Sequence, residues 1–201
     1  MSQIAEQPEI KDKIMASGIR VGTVVKTKFM IPFITQSNPE GFYLLDLDLT
    51  LNRIQTAGRF IKKFDMSKVI VCSGSNLSKT AIEKFCEITG AKMMFGRFMP
   101  GTLTNPSLPF YSEPQLVIIS DPQIDTQAVT EATNAGIPVI GISNTDNITS
   151  KLDLIIPANN RGRQSIATIY WLLAGEIDPS TKSKYQIEDF ETKTVDTEEE
   201  L

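Results

Sequence analysis

Apolar and polar positions along this chain follow two rhythms. Short, nearly unbroken apolar runs predict strands at residues 42–47, 68–72, 92–95, 115–119 and 138–142, with a short sixth at 152–156. Unbroken runs suit a sheet covered on both faces. Between them, apolar residues recur every three or four positions. Leu51, Ile54, Ala57, Phe60 and Ile61 mark a helix over residues 48–64, with Arg53, Arg59, Lys62 and Lys63 on its outer side. Leu77, Ala81, Ile82, Phe85 and Ile88 mark a second, capped by Asn76 or Ser78 and stopped at Gly90. Further helices are predicted over residues 126–135, ending at Gly136, and over 165–174, where Ile166, Ile169, Tyr170, Leu172 and Leu173 are apolar.

Strands alternating with single helices imply parallel pairing through right-handed crossovers. The expected fold is α/β, a three-layer α/β/α sandwich around a mainly parallel five-stranded sheet. Residues 14–177 make the single domain, in which residues 14–33, punctuated by Gly18 and Gly22, read as an extended clasp. Residues 1–13 are polar and expected to be disordered, and residues 178–201 read as an acidic, mobile tail. Ligands of such sheets bind beyond the carboxyl ends of the strands.

One stretch obeys neither rhythm. Gly96-Arg97-Phe98-Met99-Pro100-Gly101-Thr102-Leu103-Thr104-Asn105 opens a run that lasts to Glu113 and contains Pro100, Pro106 and Pro109. Prolines keep it out of a helix or a central strand. Phe98, Leu103, Leu108, Phe110 and Tyr111 make it too apolar for a solvated linker. Two readings stand. It is a lid over the domain's own core, or a docking loop. In the second, Arg97 meets phosphate, and Thr102, Thr104 and Asn105 meet sugar and phosphate oxygens.

Composition narrows the choice. Hydrophobic residues at 41% and charged residues at 22% are ordinary for a soluble domain. No apolar run is long enough to cross a bilayer, and the polar start lacks the apolar core of a signal peptide, so a cytoplasmic protein with no membrane partner is expected. Cys72 and Cys86 lack metal-ligand spacing and histidine is absent, so neither metal nor cofactor is expected and hydrolytic triads have no candidate. The net charge of −4 is unevenly spread. From Glu176 onward nine acidic residues face three lysines, leaving 17 basic and 15 acidic residues elsewhere, a body of +2. Such a body grips a polyanion through local patches, not by bulk charge. One patch is Asn159-Asn160-Arg161-Gly162-Arg163, before a helix start, where Asn160, Arg161 and Arg163 suit a phosphate backbone.

An enzymatic alternative starts at Asp46 and Asp48. The run Leu-Leu-Asp-Leu-Asp-Leu-Thr resembles the first motif of haloacid-dehalogenase-type phosphatases, with Asp46 as nucleophile and Asp48 as general acid/base beside magnesium. The helix following directly leaves no room for a cap segment, and Asp48 equally suits a helix N-terminus.

The Gly-Arg-Phe-Met-Pro-Gly-Thr-Leu-Thr-Asn stretch also resembles the signature of the small-ribosomal-subunit protein SA family, the laminin-receptor-precursor family. Ser120-Asp121-Pro122 with Thr130-Glu131-Ala132, Asn144-Thr145-Asp146, Ile156-Pro157-Ala158-Asn159-Asn160 and Tyr170-Trp171-Leu172-Leu173-Ala174 follow in the family's order. The likeness covers residues 17–177. Gly18-Ile19-Arg20-Val21-Gly22 carries Arg20 where the family has histidine. Without the bacterial helical-hairpin insertion, the chain is similar to the archaeal or eukaryotic branch, on its archaeal side. The resemblance implies a flavodoxin-like, non-catalytic structural constituent of the small ribosomal subunit, in the cytoplasm. It would sit between head and body near the messenger exit, binding ribosomal RNA and neighbouring ribosomal proteins. Under it, Arg20, Lys26 and Lys28 of the clasp join Arg97, Arg161 and Arg163 as phosphate contacts, and Phe98 packs the loop or stacks on an exposed base.

Overall fold

The computed structural model describes residues 8–192. A first helix, α1 (Pro8–Ala16), leads into the clasp. Ile14 and Ile19 are fully buried and tie both into the main core. Residues 17–33 then cross the domain. Asn159 donates its backbone N–H to Ile19 O and its side-chain amide to Gly18 O, and Thr27 N donates to Thr145 O. At Gly22 a Cβ would stand 2.6 Å from both Thr145 Cγ2 and Tyr43 O, so only glycine permits this crossing.

Strands β1 (Ile34–Ser37) and β2 (Tyr43–Leu45) form an antiparallel pair. It packs on its own small cluster of Met30, Phe33 and Leu45. The run at residues 42–47 therefore does not enter the main sheet. Asp46 ends it, because its Oδ1 accepts the N–H groups of Asp48 at 2.9 Å and Leu49 at 3.3 Å and so caps α2 (Leu47–Ile61).

The main sheet is built from β3 (Val69–Ser73), β4 (Lys92–Phe95), β5 (Leu116–Ile119), β6 (Val139–Ser143) and β7 (Leu154–Pro157). All its pairs are parallel, in the order β4-β3-β5-β6-β7. Within the sheet that order is 2-1-3-4-5, the flavodoxin-like winding, whose switch point lies between β3 and β5. Helix α3 (Lys79–Thr89) connects β3 to β4 and α4 (Thr126–Asn134) connects β5 to β6; β4–β5 and β6–β7 are joined by loops, and α5 (Arg163–Ile177) follows β7.

Side chains alternate across the strands, as a pleated sheet demands. Val69, Val71, Leu116, Ile118, Ile140 and Ile142 face a core closed by α2, α3 and α5. Ile70, Cys72, Val117, Ile119 and Val139 face the opposite side, which α4 covers only in part; Phe98 and Leu103 of the long loop fill the rest. Helix α5 is buried almost all round, Tyr170 and Trp171 included.

Two boundaries differ from expectation. Residues 8–13 belong to α1 instead of a disordered start. Residues 178–192, expected to be mobile, lie on the body. The short α6 (Thr181–Lys184) precedes Tyr185, whose carbonyl accepts the Trp171 indole N–H at 2.9 Å, and Phe190 is fully buried in the main core. Acidic residues mask three apolar anchors there, Tyr185, Ile187 and Phe190. Residues 1–7 and 193–201 of those predicted tails lie outside the described residues. No helix among the described residues is long and apolar enough to cross a membrane.

Candidate nucleic-acid interface

The long loop is latched by one carboxylate. Glu131 of α4, nearly buried, accepts the N–H of Gly101 at 2.7 Å through Oε1 and that of Leu103 at 3.2 Å through Oε2. Thr104 Oγ1 and the Gln127 amide add to it. Burial by itself would raise the Glu131 carboxyl, but these hydrogen bonds outweigh it and hold the group below its usual range. Gly101 adopts φ +90°, and a Cβ there would stand 2.6 Å from Leu108 Cδ1.

The loop is therefore a lid in its interior and a contact surface at its rim. Phe98 and Thr102 are buried, the latter donating to Met99 O at 2.6 Å, so neither offers a face to a base or a phosphate. Asn105 is exposed and its Oδ1 accepts Ser107 N at 3.1 Å, while Thr104 is exposed beside Glu131. Arg97 is exposed, without a hydrogen bond or ion pair among the described residues. It stands at a cavity of about 420 Å³ shared with Gly74, Gly96, Ile124 and Asp125. This is the switch point between β3 and β5.

Asp125 there is almost wholly buried, and burial pushes its carboxyl up to about 7, with nearby Asp121 adding to the rise. Neither Glu131 nor Asp125 stands out in the sequence as a site residue, because the backbone N–H groups they bind, on Leu103, Gly101 and Gly74, lie 28, 30 and 51 positions away.

The second patch divides the same way. Asn160 is buried, donating to Ile142 O at 3.2 Å and Asn147 Oδ1 at 3.1 Å, and so bolts two loops together. Asn147 in turn donates to Asp121 Oδ1. Arg161 projects, its side chain 51% exposed, and pairs with Asp146 while reaching Gln123 at 3.3 Å. Arg163 opens α5 behind Gly162, which brings no side-chain cap, and lines a groove with Ser17, Gln164, Glu188 and Thr192. Arg161 and Arg97 thus flank the β5–α4 connection from opposite sides.

In the clasp, Arg20 is half-buried and donates Nε–H to Leu45 O at 3.1 Å. It shares a cavity with Asp46 and Asp48. Lys26 and Lys28 are exposed, Lys26 Nζ lying 4.7 Å from the Tyr43 ring centroid. The phosphatase reading finds no support in this geometry. Asp46 is spent on capping α2, its strand lies outside the parallel sheet, and no group of three metal-ligating side chains occurs among the described residues. Cys72 and Cys86 are free, and burial raises both thiols, Cys86 to about 12, which leaves them unreactive.

Fold and site together define a flavodoxin-like α/β protein whose carboxyl edge carries Arg97, Arg161 and Arg163 and is bolted by buried amides. The model of the ribosomal protein S2 family matches residues 109–178. Small ribosomal subunit protein uS2 of Nitrosopumilus maritimus (strain SCM1) is 62% identical, with both chains covered in full. That of Cenarchaeum symbiosum (strain A) is 55% identical over 94% of this chain and 95% of its own, and that of Thermofilum pendens 45% over 92% and 90%. The chain belongs to the ribosomal protein S2 family, on its archaeal branch.

Proposed function

We propose that this chain is a structural, non-catalytic constituent of the cytoplasmic small ribosomal subunit, contacting ribosomal RNA through the carboxyl edge of its sheet. The family and the names of its archaeal relatives support the ribosomal role. The observation that carries the RNA assignment is the placement of three arginines. Arg97 leaves the end of β4, and Arg161 and Arg163 leave the end of β7, all on one edge and over a body held rigid by amide bolts. With residues 178–192 packed on it, the body over residues 8–192 carries 19 basic and 19 acidic residues, so its grip on phosphate falls to placed arginine forks and not to net charge. Thr104 and Asn105, exposed at the loop rim, would add neutral contacts. A seat between head and body near the messenger exit, next to other ribosomal proteins, follows from the likeness to the protein SA family.

The test is a double variant, Arg97→Ala with Arg161→Ala. It should leave the isolated domain folded and weaken its incorporation into small subunits. Normal incorporation of the folded double variant would overturn the assignment.

A further inference from the structure

The clasp presents a second exposed surface, apolar as well as cationic. Val24 and Val25 are each 58% exposed, Ile31 51%, Phe29 50%, and Phe42 of the adjoining hairpin turn 40%. Single exposed apolar residues need no explanation, but five large ones on one segment and its neighbour mark an interaction face. The backbone beneath them is pinned, so looseness is not the cause of their exposure. Gly22 N donates to Tyr43 O, Tyr43 N to Thr23 O, and Thr23 N to Thr145 Oγ1. Val24 Cγ1 lies 4.0 Å from where a Cβ of Gly41 would stand, which sets it beside Phe42.

Charge along this strip has one sign. No acidic residue occurs between Asp12 and Glu40, while Lys13, Arg20, Lys26 and Lys28 fall in that interval. Lys26 and Lys28 are exposed without an ion pair among the described residues.

We infer that this face docks a neighbouring protein of the assembled particle. The partner segment would set apolar side chains against Val24, Val25 and Phe29 and bring carboxylates to Lys26 and Lys28. The inference rests on the small-subunit reading for the identity of the particle. RNA fits the strip less well. Phe29 and Phe42 can stack on bases, but Val24, Val25 and Ile31, the three most exposed of the five, neither stack nor bond to phosphate, whereas a protein core of apolar contacts with a charged rim uses every kind of residue present. Lys26 and Lys28 then meet carboxylates in place of phosphates.

The experiment places a benzophenone side chain at Val25 or, separately, at Phe29, and irradiates purified small subunits carrying the tagged full chain. The expected result is an adduct that survives ribonuclease and maps to a protein segment with Asp or Glu within a few residues of the link. An adduct to RNA, an adduct to a segment without acidic residues, or no adduct from subunits that contain the chain would each overturn the inference. A chain absent from the particle altogether sinks the small-subunit reading as well, which separates the two failures. A second variant guards against a silent probe. The folded Val24→Ser/Val25→Ser chain should lose to the native chain in competitive incorporation by about tenfold, or roughly 1.4 kcal/mol. Equal incorporation contradicts it.

Discussion

Glu131 accepts the backbone N–H of Gly101 at 2.7 Å, across 30 positions of sequence. Through that bond and its companion to Leu103, helix α4 holds the proline-rich loop against the sheet face that it does not itself cover. The loop consequently serves as a layer of the sandwich, and only its rim is left for a partner.

Replacing Glu131 by Ala strips two loop N–H groups of their acceptor. An orphaned buried donor costs about 1–3 kcal/mol. Urea unfolding of Glu131→Ala should show a loss of about 2–4 kcal/mol, with Glu131→Gln losing less because one acceptor oxygen remains. The depressed carboxyl adds a pH signature. Its contribution is present above the unfolded-state value and is lost as pH falls through the folded one, so the gap between native and Glu131→Gln proteins should narrow toward acid.

Asp125 has the opposite sign. Its folded-state value is raised from the ordinary 3.8 to about 7. The native state therefore favours the protonated form, and this contribution is full below the unfolded value and fades as pH rises through 7. The urea midpoint of Asp125→Asn relative to the native protein should rise between pH 5 and pH 8, a range spanning the folded value. A pH-independent difference would show that the carboxyl is not perturbed.

Phe98 and Arg97 are adjacent but do different work. Phe98 lies in the second core, so Phe98→Ala should cost about 3–5 kcal/mol. Arg97→Ala should leave stability within about 0.5 kcal/mol, as expected at a surface site without partners. Thermal or urea unfolding of both separates a lid residue from a contact residue.

The parallel sheet was legible in the sequence because β3, β5 and β6 are buried on both faces, which leaves no polar alternation to confuse them. The hairpin was not. A run such as Tyr43–Leu45 reads alike in a parallel sheet and in an antiparallel pair, and its partners, Val21 and Ile34–Ser37, carry no strand rhythm. Arg97, Arg161, Lys26 and Lys28, expected as phosphate contacts, lie exposed. Phe98, Thr102 and Asn160 were chosen on residue chemistry that suits a ligand and a buried bolt equally well. Long-range burial, which no local pattern encodes, decided between them.

Phe190 tests the reassigned tail. Fully burying such a side chain is worth about 1.5–3 kcal/mol or more, and its truncation also leaves a cavity. Phe190→Ala should lower the unfolding midpoint and make residues 178–192 the first site of limited proteolysis. An unchanged midpoint would mean that this segment adds nothing to the body.

The most direct test of the ribosomal assignment is sedimentation of the tagged chain in extract from its own cells. The chain should travel with small subunits at low salt and leave them when the RNA is digested or the salt is raised. A native chain that stays at the top of the gradient, free of any ribosomal particle, contradicts the account.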